Sequence, residues 1–139
     1  MAEYIIQEES LVELADIIRE KLELLELDVK LVSNRNAITS VKIPDGVEKI
    51  GRYAFSDCEN LEYIIIPTSV TSILDEAFSY CIRLRSITLP DSITSIGENV
   101  FRNCYSLNTI NLPWSEGEVA GAPWGAPNAT INYNYVEVS

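Results

Sequence analysis

The sequence predicts an α/β repeat fold: a right-handed solenoid of 23-residue turns with parallel strands, an N-terminal capping helix and a C-terminal closing strand. Three observations predict it. Leu61, Leu84 and Leu107 recur at intervals of 23 residues, as do Phe55, Phe78, Phe101 and Cys58, Cys81, Cys104. The stretch before the first full unit has helical spacing of its apolar residues. The tripeptide Thr109-Ile-Asn returns as Thr130-Ile-Asn after the last proline-bearing unit.

The helix comes first. Ser10 followed by Glu13 fits a capping box, in which two side chains satisfy backbone N–H groups at a helix start. Leu11, Leu14, Ile17, Ile18, Leu22 and Leu25 then recur at helical spacing, which predicts an amphipathic helix over 11–25. Residues 1–30 carry nine acids and three bases, so they hold −6 of the chain's net −11. This helix reads either as a partner-binding or oligomerising element, or as the polar-faced cap that a repeat array needs for solubility. Counting back 23 residues from Ile50 and Val47 reaches Leu27 and Leu24, and from Ala54 and Phe55 reaches Leu31 and Val32. A degraded half-turn there links helix and array. The first segment is therefore 1–37.

The array is 38–113, in units 38–60, 61–83 and 84–106 with a partial unit at 107–113. In Ile64-Ile65-Ile66 and its equivalents, strand alternation turns the first and third side chains inward and the middle one outward. Pro44, Pro67, Pro90 and Pro113 lack a donor and end each strand. Val47 with Ile50, and Val70 with Ile73, mark a second extended piece. Ala54-Phe55 and its equivalents are expected to form a short helical turn with the ring inside. No unit can bury its apolar side alone, so the units fold only as an array.

The last segment is 114–139. A closing strand is expected at 129–135. The connection 114–128 holds Trp114, Trp124, three glycines and two prolines. It reads either as a lid on the exposed end of the core or as a binding loop.

The columns Leu-x-x-Ile-x-Leu-Pro, Val-x-x-Ile-Gly, Ala-Phe and Cys resemble the leucine-rich repeat family, most closely its BspA-like or Treponema pallidum type. The resemblance covers 38–113. It implies a curved solenoid with a strand-lined concave face, protein binding (often adhesion at bacterial surfaces) and no catalysis. The opening helix and the Trp114-Ser-Glu-Gly and Pro123-Trp-Gly ending are similar to those of small members from gut Firmicutes and their phages. Leu74 departs from the pattern, standing where Gly51 and Gly97 are read as suiting an unusual backbone angle.

Composition narrows the chemistry. A net charge of −11 argues against DNA, RNA or anionic lipid as partner, and no charge-free run is long enough and apolar enough for membrane insertion. Histidine is absent. Stacked at one period, Cys58, Cys81 and Cys104 form a straight column that cannot wrap a tetrahedral metal, so they read as small buried thiols. Asp75 and Glu76 are adjacent and diverge, which excludes shared acid–base work. Asp75 stands one period after Arg52, and Glu62 one period before Arg85, each couple predicting a cross-turn ion pair. No catalytic residue, metal or cofactor is expected. The first ten residues lack the basic and apolar regions of a secretory leader, giving a cytoplasmic expectation by default, with a virion or bacterial cell surface as alternatives.

What remains is surface. The outward residues of the first strand column include Tyr63, Ile65, Ser86, Thr88, Thr109 and Asn111, the candidate protein-binding set. Tyr63 and Ile65 are the large apolar members: hot spots for a partner, or an ordinary sheet surface on which the two pack together. Glu59, Ile82 and Tyr105 form a second outward column. The expected function is a noncatalytic module that binds a protein or glycan through its strand-lined face. The alternative is a structural subunit of a phage virion or other bacterial assembly, with the oligomeric state open.

Overall fold

A computed structural model describes residues 35–137. The expected helix at 11–25 and the half-turn after it lie outside these residues. The described chain is a parallel-strand solenoid of about four turns, whose elements are short strands apart from one 3-10 turn, Arg35–Ala37. The α part of the α/β expectation therefore rests on residues outside the described range.

Each turn has three sides. The first column holds β1 (Ser40–Lys42), β3 (Tyr63–Ile65), β5 (Ser86–Thr88), β7 (Thr109–Asn111) and β8 (Thr130–Asn132). The second holds β2 (Lys49–Ile50), β4 (Ser72–Ile73) and β6 (Ser95–Ile96), joined as one parallel sheet. Registers follow the sequence period: Val41 faces Ile64, Ile50 faces Ile73, and Ile87 faces Ile110. The closing strand pairs with β7 at a spacing of 21, Thr109 opposite Thr130. Proline ends each strand and its carbonyl starts a turn, as Pro44, Pro67 and Pro90 accept from Val47, Val70 and Ile93 N–H groups.

The third side corrects the expected helical turn. Amides there alternate between two destinations. Ala54 and Ser56 donate within their own turn, to Gly51 and Tyr53, whereas Tyr53, Phe55 and Asp57 donate across to Asp75, Ala77 and Ser79. The alternation requires left-handed residues, found at Tyr53 and Asp57, Glu76 and Tyr80, Asn99 and Asn103. A left-handed L-residue costs on the order of 1–2 kcal/mol, less for Asn and Asp, and the inter-turn hydrogen bonds offset that cost.

Inside, the inward residues of all three sides form one core. Phe55, Phe78 and Phe101 are fully buried and stacked, and Cys58, Cys81 and Cys104 lie in the same interior. Trp124 ends the stack, buried edge-on against Phe101 at 6.3 Å, its indole N–H donating to Ala120 C=O at 3.2 Å. Of the two readings of the 114–128 loop, the lid describes Trp124.

Gly97 departs from expectation. Neither it nor Gly51 has a positive φ. Instead a Cβ on Gly97 would lie 2.3 Å from Asp75 Oδ1 and 2.5 Å from Asp75 N. The Asp75 carboxylate accepts the Glu98 N–H at 2.8 Å and draws the two turns together there. One turn earlier Leu74 stands in the place of Gly97, and Arg52 in the place of Asp75.

Candidate protein-binding face

The first strand column carries the candidate residues. Its middle positions, Val41, Ile64, Ile87 and Ile110, point into the core, so the flanking positions face out. Tyr63 and Ile65 are each 59% exposed.

The column is not continuous. β1 pairs with β3, and β5 pairs with β7 and through it β8, but no ladder joins β3 to β5. Two rungs can be named. Ile43 N–H donates to Ile65 C=O and Leu89 N–H to Asn111 C=O, both at 3.0 Å; the corresponding bond from Ile66 N–H to Thr88 C=O is not made. Glu62 N–H donates to Thr39 C=O at 2.8 Å and Asn108 N–H to Arg85 C=O at 3.0 Å; the bond from Arg85 N–H to Glu62 C=O is not made. On the other sides the same two turns stay joined, by β4–β6 pairing and by Phe78 N–H to Val100 C=O at 3.0 Å. The opening is therefore a wedge confined to the strand face.

Packing registers the same wedge. Ile64 and Ile66 are each 8% exposed, against 1–2% for their equivalents Val41, Ile43, Ile87 and Leu89. The ring spacing is 5.3 Å between Phe55 and Phe78 but 5.8 Å between Phe78 and Phe101, across the opened pair of turns. The result is a cleft of about 370 Å³ with an isoleucine floor and hydroxyl walls.

Four of the six candidate residues, Tyr63, Ile65, Ser86 and Thr88, line this cleft. Thr109 and Asn111 lie on β7, beyond it. Asn111 belongs to a side-chain ladder, donating to Thr88 Oγ1 at 3.0 Å and accepting from Asn132 Nδ2 at 2.8 Å. Sequence reasoning missed Thr68, Pro90 and Glu137, which also border the cleft, because none is an outward strand position. The second outward column places Tyr105 in the open, its hydroxyl donating to Asn103 Oδ1 at 3.0 Å, with Ile82 half-buried.

Both expected cross-turn ion pairs form. Arg52 reaches Asp75 at 3.1 Å, and Glu62 takes Arg85 at 3.7 Å and also Arg83 at 3.4 Å. Glu62 and Arg85 each directly precede a strand, β3 and β5 respectively. The adjacent carboxylates diverge: Asp75 serves Arg52 and the Glu98 N–H, while Glu76 accepts from Tyr53 Oη at 3.5 Å. The three cysteines are buried and not joined in disulfides, Cys81 donating to Phe55 C=O at 3.1 Å and Cys104 to Phe78 C=O at 3.0 Å. Burial pushes the Cys81 thiol pKa well up, and a hydrogen bond with Cys104 adds to that. Among the described residues no group of three acidic or cysteine side chains is placed to hold a metal ion.

Comparison with known proteins agrees with this geometry. The family profile described as the BspA type leucine rich repeat region (6 copies) matches residues 28–119. A leucine-rich repeat protein from Eubacterium ventriosum is similar at 36% identity over 56% of this chain and 21% of its own, with a TM-score of 0.52. The pneumococcal vaccine antigen PcpA is similar at 31% identity over 54% of this chain and 18% of its own, also with a TM-score of 0.52. The matched part is thus about a fifth of each of those proteins. No curated protein matches. With the profile spanning most of the sequence, and the strands stacked at its period, the chain belongs to the BspA-type leucine-rich repeat family.

Proposed function

We propose that the chain is a noncatalytic interaction module that takes a protein or glycan on its strand-lined face, at the cleft between β3 and β5. The observation that carries this reading is the unpaired stretch of the ladder beside Tyr63 and Ile65. Elsewhere on the face the backbone groups between neighbouring strands are engaged. Here a partner group entering the wedge gains hydrogen bonds from Ile66 N–H and to Thr88 C=O while covering the isoleucine floor. An exposed tyrosine and isoleucine at the rim supply the apolar contact area that interface hot spots use. Membership of a repeat family whose members commonly bind proteins supports the same class.

The test is affinity capture from the source cells, and from a glycan array, with wild type and the Tyr63→Ala/Ile65→Ser double variant. The variant is expected to lose the partner that the wild type retains, at an unchanged melting temperature. A folded double variant that retains the same partner would end this reading.

A further inference from the structure

We propose that the outer edge of β6 accepts an extended polypeptide segment carrying lysine or arginine, as a fourth parallel strand of the β2–β4–β6 sheet. This site lies on a different side of each turn from the β3–β5 cleft and stands independently of it.

The first support is a pattern of acceptors that is filled twice and then left open. Thr71 N–H donates to Glu48 C=O at 2.7 Å, and Thr94 N–H to Thr71 C=O at 2.8 Å. The hydroxyls of both threonines reach the same carbonyls at 3.2 Å. Three residues on, Leu74 N–H donates to Ile50 C=O at 2.9 Å and Gly97 N–H to Ile73 C=O at 2.8 Å. One turn further, the equivalent acceptors are Thr94 C=O and Ile96 C=O. Among the described residues, nothing donates to either.

The reason is local. The chain that should form the next strand bends away: Glu118 N–H donates to Ser115 C=O at 3.1 Å, the Glu118 carboxylate accepts the Ser115 N–H, and Gly117 takes φ +90°. The bend leaves two grooves along β6, about 210 Å³ beside Thr94 and Trp114 and about 360 Å³ beside Gly97 and Trp124, with Ile96 lining both. Beside β2 the equivalent pair of acceptors is filled by the four residues Thr71–Leu74, so a segment of at least four residues is needed at this edge.

Charge selects the occupant. Glu118 lines one groove and Glu98 the other, both exposed, and no lysine or arginine lines either. Strand addition supplies main-chain affinity, and a cationic side chain at each end of the segment answers the two glutamates.

The test uses the peptide acetyl-Lys-Val-Thr-Ser-Ile-Leu-Lys-amide, whose core copies Val70–Leu74, the segment that fills the equivalent acceptors two turns earlier. Binding is followed by amide chemical shifts of the full chain. Saturable shifts centred on Thr94–Asn99 and Trp114–Ala120 are expected. Methylating the peptide's Thr and Leu nitrogens should weaken binding about tenfold or more, since two hydrogen bonds are lost. Glu98→Lys should weaken it about fivefold at unchanged melting temperature, and Tyr63→Ala/Ile65→Ser should leave it unchanged. Absence of saturation at millimolar peptide, equal binding of the methylated peptide, equal binding with glutamate in place of the terminal lysines, or self-association of the protein through this edge would each overturn the proposal.

Discussion

Phe55 and Phe78 are 23 residues apart in sequence, yet their rings lie 5.3 Å apart between centroids with only 5° between their planes. Phe101 continues the stack at 5.8 Å, and Trp124 closes it edge-on. Phe78 has an aromatic neighbour on both sides, so removing it opens a cavity in the middle of the array. Phe78→Ala is expected to cost about 3–5 kcal/mol in urea unfolding. A loss below about 1 kcal/mol would mean that the ring is not interior.

Gly97 is held by close approach. A methyl group there would meet both the carboxylate and the backbone of Asp75. Gly97→Ala is therefore expected to destabilise by about 1–3 kcal/mol. Adding Asp75→Ala should not restore stability, because the Asp75 nitrogen would still lie 2.5 Å from the new Cβ. Full rescue in the double variant, read from the melting temperature, would assign the clash to the side chain alone.

The thiol column makes a prediction in alkaline solution. Burial, then the hydrogen bond with Cys104 and the neighbouring thiols, raise the Cys81 pKa in the folded chain. A group raised on folding contributes stability that is complete below its unfolded pKa, about 8.5 for a thiol, and is lost as pH rises toward the folded value. Stability should thus fall above about pH 8.5, by up to about 1.4 kcal/mol per pH unit for this thiol, and Cys81→Ala should flatten that slope. Urea titrations of both proteins between pH 7 and 10 check it; identical slopes would remove Cys81 as the cause.

Tyr63 and Ile65 project from the sheet, so the fold does not depend on them. The double variant Tyr63→Ala/Ile65→Ser should lie within about 1 kcal/mol of wild type, as surface substitutions do. A larger loss in thermal unfolding would show the two side chains holding the wedge rather than rimming it.

The period made much of this structure legible. Residues 23 apart stack because a solenoid turn has one length, so the phenylalanine stack, the thiol column, the strand register and the Arg52–Asp75 and Arg85–Glu62 pairs follow from counting. Counting is blind where equivalent residues behave differently. Gly97 looks like a residue chosen for its backbone angle until Asp75 Oδ1 is seen in the space of its missing side chain. Tyr53 and Tyr80 give no sign of a left-handed backbone, which the alternating amides impose on them. The unmade bonds of Ile66 and Arg85 are likewise silent, because their sequence columns are as regular as the joined ones.

The open stretch between β3 and β5 is the feature on which the candidate site rests, and backbone amide hydrogen exchange reads it directly. Ile43, Glu62, Leu89 and Asn108 amides are hydrogen-bonded across turns, whereas their equivalents Ile66 and Arg85 are not. Ile66 and Arg85 should exchange on the order of tenfold faster or more than those four. Equal protection at all six positions would mean that the ladder runs unbroken through the face and that the cleft does not exist.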